Sequence, residues 1–140
     1  MSNLAKLRLE HAQLIETVGR LAELVAKPEP PDVSDLFKVR HELTSTLVGH
    51  LKAEDWVLYP RLLSSPDPQV AGMARAFSDG MGGLADAYRA HTEKWTALSI
   101  TFDWSGYCDE TNTIIQALSS RIHRENRELY PLLEAMEKAA

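Results

Sequence analysis

Apolar residues return along this chain every three or four positions, the spacing of a helix with one buried stripe, in four successive stretches. The first runs from about Asn3 to Ala26 and stops at Lys27-Pro28-Glu29-Pro30-Pro31. Asp32 or Ser34 can cap the second, which reaches the Tyr59-Pro60 region. Beyond Ser64-Ser65-Pro66-Asp67-Pro68, a third spans roughly Gln69 to Leu98, with the flexible Gly80-Met81-Gly82-Gly83 inside it. Asp103-Trp104-Ser105-Gly106 reads as a loop, and the fourth helix covers about Asp109 to Met136. No segment alternates with period two for long enough to argue a sheet. Long helices on short connections predict an all-α fold, an antiparallel up-down four-helix bundle, as one domain over 1–140.

Within this pattern one unit occurs twice. His50-Leu-Lys-Ala-Glu54-Asp-Trp-Val-Leu-Tyr-Pro60 is answered 71 positions later by Arg121-Ile-His-Arg-Glu125-Asn-Arg-Glu-Leu-Tyr-Pro131. Each copy carries its glutamate at the same place and ends in Leu-Tyr-Pro. Pro60 and Pro131 fall inside helical patterns, where a missing N–H and a crowded preceding turn should kink or end the helix. His50 and Glu54 are four residues apart, so a helix sets both on one face.

Each helical residue turns the chain by about 100°, which sorts the polar residues into inward and outward. His11 lies among Leu4, Leu7, Leu14, Ile15 and Val18. His50 and Glu54 share a stripe with Leu36, Leu43, Leu47 and Val57, and His91 aligns with Met73, Phe77, Leu84, Trp95 and Leu98. Glu125, with Arg121 alongside, interrupts the ladder Ile115, Leu118, Ile122, Leu129, Leu132. His41 and His123 point outward, and Asp55, Arg124, Arg127 and Glu128 read as a solvated face. Burying acids and imidazoles without partners costs a few kcal/mol each, so the inward set needs a shared partner. Any one of them alone is more simply a hydrogen-bonded core residue or, for the glutamates, an ion-pair partner of Arg121. Together, His11, His50, Glu54, His91 and Glu125 suit a metal such as iron, zinc or manganese.

Composition narrows the setting. Apolar content of 44% and charged content of 25% are those of a globular chain. A net charge of −5 argues against nucleic acid, whose phosphates need a basic face. Cys108 stands alone, so a reducing, cytoplasmic setting is expected. No stretch is long and apolar enough for a membrane span, and the amphipathic start lacks the core of a signal peptide.

These residues resemble the hemerythrin-like family, the HHE cation-binding domains. The resemblance rests on Leu-Arg-Leu-Glu-His11, on His50-x-x-x-Glu54 running into Leu-Tyr-Pro, on the inward His91, and on Arg-Glu125-Asn-Arg-Glu-Leu-Tyr-Pro-Leu-Leu. It implies an up-down bundle around a non-haem di-iron centre that meets dioxygen, nitric oxide or peroxide. His11, His50 and His91 would be terminal imidazole ligands, and Glu54 and Glu125 bridging carboxylates. One departure matters: the second repeat should open with histidine but opens with Arg121, a permanent cation that cannot coordinate metal. His123 could fill that gap, pairing with Glu128 five residues on, if helix four were rotated or locally irregular. Three imidazoles and two acids could hold one metal or a lopsided pair.

Two functions follow. One is a small iron protein that carries or senses a diatomic ligand or redox state; no nucleophile or phosphate loop calls for turnover. The other is a metal-free bundle, with Arg121 neutralising Glu54 and Glu125, that binds a regulatory protein or a second copy through Trp56, Trp104 and Tyr107.

Overall fold

A computed structural model describes residues 3–139; the outermost positions of the expected domain, 1, 2 and 140, lie outside the described residues. Four rods form the bundle. The first is α1 (Asn3–Val25). The second is α2 (Val33–Lys52), which runs through a π-helical stretch (Ala53–Leu58) into α3 (Tyr59–Leu63). The third is split into α4 (Pro68–Met81) and α5 (Leu84–Lys94). After the short α6 (Ala97–Phe102), the fourth comprises α7 (Trp104–Arg124), a second π-helical stretch (Glu125–Leu129) and α8 (Tyr130–Ala139). No strand occurs among the described residues.

Side-chain pairs fix the antiparallel order. Arg8 near the start of α1 pairs with Glu134 in α8, while Trp104 Nε1 opening α7 donates to Lys27 O beyond the end of α1. Between α1 and α2, Glu10 meets His50 and Arg20 meets Glu42. Between α2 and α5, Thr44 meets Tyr88, and Arg40 donates to the carbonyls of Thr92 and Trp95. The guanidinium of Arg40 thus caps the negative end of α5.

Helix starts follow local chemistry. Asp32, as expected, caps α2 by accepting from Ser34 N at 2.8 Å. Asp103 accepts from Gly106 N at 2.9 Å, so Trp104 to Gly106 form the first turn of α7 instead of a loop. A Cβ at Gly106 would sit 2.3 Å from Asp103 Oδ2, so a larger residue there would push the capping carboxylate aside. The third rod ends sooner than its periodicity suggested: Trp95 leaves helical geometry, and Thr96 caps α6. Leu98 is accordingly exposed, as is Ile15.

Neither Pro60 nor Pro131 stops its rod. Each lies two residues past a π-helical stretch, where the N–H of Tyr59 bonds to Glu54 O and that of Tyr130 to Glu125 O, five residues back. The widened turn absorbs the crowding that proline imposes on what precedes it. The widening also re-aims side chains. Val57, expected inside, is exposed, while Asp55, expected on a solvated face, turns partly inward.

Buried apolar residues fall into two clusters, one centred on Leu14, Leu43, Leu47 and Leu118, the other on Leu4, Leu7, Tyr59, Phe77 and Leu129. Between Leu7 and Leu14 comes His11, between Leu51 and Tyr59 comes Glu54, and between Ile122 and Leu129 comes Glu125. The polar residues therefore occupy a layer of their own between two apolar cores.

Candidate metal centre

That layer brings four of the five expected donors together. His11, His50, Glu54 and Glu125 each offer a ligand atom, and these atoms lie within 4.8 Å of one another. None is more than 1% exposed, and neither is Arg121. His50 Nε2 lies 3.2 Å from Glu54 Oε1, and His11 Nε2 lies 3.0 Å from Glu125 Oε1. The far nitrogens are tethered: His50 Nδ1 meets Glu10 Oε1 at 2.9 Å, and His11 Nδ1 meets Asn126 Oδ1 at 2.7 Å. Such outer partners fix which ring nitrogen faces a centre.

The repeat supplies a crossed pair of tyrosines. Tyr130 in the second copy donates to Glu54 Oε2 of the first at 2.5 Å, and Tyr59 in the first donates to Glu125 Oε2 of the second. Tyr130 also stacks on His11, with ring centres 4.9 Å apart. Reasoning from stripes passed over Tyr59, Tyr130, Glu10 and Asn126. The Leu-Tyr-Pro endings and the Glu10-His11 and Glu125-Asn126 neighbours were the available signals.

His91 does not join them. Its Nε2 meets Thr111 Oγ1 at 2.9 Å, its ring faces Tyr107 at 5.6 Å, and its Nδ1 has no partner. Thr111 stands ten residues before Arg121, about 15 Å along the helix. On the third rod the level of the centre falls instead between Phe77 and Leu84, at the glycine break, where the Met81 carbonyl accepts from Arg121. Gly82 belongs there because a Cβ would lie 2.4 Å from Ser78 O. His91 faces inward, as its stripe requires, but two turns beyond that break.

Arg121 fills the remaining side. Nε donates to Glu125 Oε2 at 3.2 Å, Nη1 to Met81 O at 3.1 Å, and Nη2 to Glu54 Oε1 at 3.1 Å and Asp55 Oδ1 at 2.7 Å. Its face covers the Tyr59 ring at 5.3 Å. His123 and His41 are exposed, so His123 does not replace the missing ligand. Tyr107 is fully buried and so is unavailable as a surface anchor, whereas Trp56 is 70% exposed.

The charges in this layer are interdependent. Burial pushes both glutamates up, but the hydrogen bond and charge of His50, with Arg121, bring Glu54 down to about 2. Burial and then the Glu54 charge hold Glu125 well above the usual carboxylate range. The two acids thus ionise one before the other, as close carboxylates do. Burial pulls His50 down, yet its bonds to Glu54 and Glu10 leave it raised overall, while burial leaves His11 lowered.

Two imidazole nitrogens and two carboxylates, oriented from behind and sealed from water, fit a first-row transition metal such as iron, zinc or manganese. A cleft of about 330 Å³ between α2 and α5 is walled by Leu51, Asp55, Trp56 and Tyr88, and so includes the carboxylate that touches Arg121. By fold and donors this is a helical bundle of the cation-binding class. The chain belongs to the hemerythrin family: the model of the hemerythrin HHE cation binding domain matches residues 2–133. No curated protein and no solved structure matches it. Among the described residues no helix is long and apolar enough to cross a membrane.

Proposed function

We propose that this chain is a non-haem iron protein that carries or senses dioxygen, nitric oxide or redox state, with His11, His50, Glu54 and Glu125 as its ligands. The observation that carries the reading is the tethering of both imidazoles, each with Nδ1 held by Glu10 or Asn126 and Nε2 given to a carboxylate. Both ring nitrogens of each histidine face oxygen partners, and two imidazoles aligned in this way on one pair of acids are arranged for a shared cation. Bound iron would supply reversible redox change and an open position for a diatomic ligand. The protein's own contribution is orientation and exclusion of bulk water, with Tyr59 and Tyr130 holding the outer oxygens of the acids. The lone Cys108 suits a reducing cytoplasm.

A second reading has its own support. Arg121 already satisfies both glutamates, so the bundle is complete without metal and could serve as a regulatory module that docks through the exposed Trp56. Ferrous titration of chelator-treated protein decides between them. Binding that His50→Ala weakens at least about a hundredfold and His91→Ala leaves within about twofold supports the iron reading. Protein that takes up no ferrous, zinc or manganous ion leaves the metal-free module.

A further inference from the structure

Glu54 and Glu125 each stand between an imidazole and the Arg121 guanidinium. Glu54 Oε1 lies 3.2 Å from His50 Nε2 and 3.1 Å from Arg121 Nη2. Glu125 turns Oε1 to His11 at 3.0 Å and Oε2 to Arg121 Nε at 3.2 Å. Glu125 therefore turns one oxygen to an imidazole and the other to the guanidinium, while Glu54 Oε1 sits between His50 on one flank and Arg121 on the other. We propose that Arg121 is a built-in permanent cation standing where a second metal ion would otherwise be bridged, so that the centre takes up a single ion, on the imidazole side. This rests on the iron reading above.

Three observations support it. First, both imidazoles of the layer lie on one side. His91 is committed to Thr111, and His123 is exposed, so no nitrogen ligand reaches the guanidinium side. Second, Arg121 cannot readily leave. Its three nitrogens are all bonded, to the first π-helical stretch, to the end of α4 and to the second π-helical stretch, and its face rests on Tyr59. Third, its charge does not depend on pH in the working range, so it opposes a second cation at all times.

The consequence is a centre confined to one-electron change at one ion. The restoring substitution is Arg121→His, which gives the second repeat its own His-x-x-x-Glu. Chelator-treated wild type and Arg121→His are loaded with excess ferrous ion without air and desalted, and iron per chain is measured, with circular dichroism as the check on folding. Wild type saturating at one equivalent and folded Arg121→His at two are the expected results. Wild type at two, or folded Arg121→His remaining at one, overturns the proposal. If Arg121→His does not fold, the wild-type count still decides. Neither protein binding any metal overturns the iron reading itself, a different outcome from either of these.

Discussion

His11 and His50 on one hand, and His91 on the other, all interrupt apolar stripes, yet they inhabit different surroundings. The first two have both ring nitrogens engaged by acids or an amide, and their rings lie 4.8 Å apart. His91 has a hydroxyl on one nitrogen and nothing on the other, with the Arg40 guanidinium and two aromatic residues, Tyr107 and Trp95, nearby. Facing inward is thus a statement about angle around a helix. Convergence needs height along it as well, and height is set by where each rod begins.

The largest effect that separates the two environments is on stability. In metal-free protein, Glu54→Ala removes a buried partner of Arg121, His50 and Tyr130 together. It should cost about 3–5 kcal/mol in urea unfolding, as breaking a buried charged network does. Thr111→Val removes one neutral partner of His91 and should cost about 1 kcal/mol. Equal losses would erase the distinction between a charged layer and an ordinary core hydrogen bond.

Much of this layer could be read from the chain. The four rods, the burial of His11, His50, Glu54, Arg121 and Glu125, and the exposure of His41 and His123 all follow from a 100° rotation per residue. What that rotation could not supply was register between rods. The glycine break and the length of α4 decide that His91 lies beyond the centre. The same arithmetic assumes regular helix, so it misplaced Val57 and Asp55, which sit in a π-helical stretch of wider turns. The crossed tyrosines were hidden for another reason. Tyr59 and Tyr130 are apolar over most of their surface, and only contact between rods shows that each hydroxyl belongs to the other copy's acid.

A smaller effect tests the tethers. Glu10→Gln replaces the acid behind His50, and Asn126→Ala removes the acceptor behind His11. Each should weaken ferrous binding about 10- to 100-fold, the range for partners one step behind a ligand, while leaving the fold intact by circular dichroism. Thr111→Val should leave affinity unchanged, because His91 stands apart from the donors. Loss of affinity on Thr111→Val would show that the two environments communicate, and the contrast would have to be redrawn.

The smallest effect is a pH dependence that belongs to His91. Burial, reinforced by the Arg40 charge and Lys94 and opposed by Glu110, lowers its ring from the ordinary 6.5 to about 4. The folded protein therefore prefers the neutral ring, and the unfolded chain takes up the proton first. Its contribution to stability is complete above about pH 6.5 and is lost as pH falls toward about 4. The slope cannot exceed about 1.4 kcal/mol per pH unit for one proton, and solvent around the half-buried ring keeps it well below that. His91→Gln has no proton to gain, so its urea midpoint should fall less than that of wild type between pH 6.5 and 4. Parallel declines in the two proteins would assign the acid sensitivity to the glutamate layer alone.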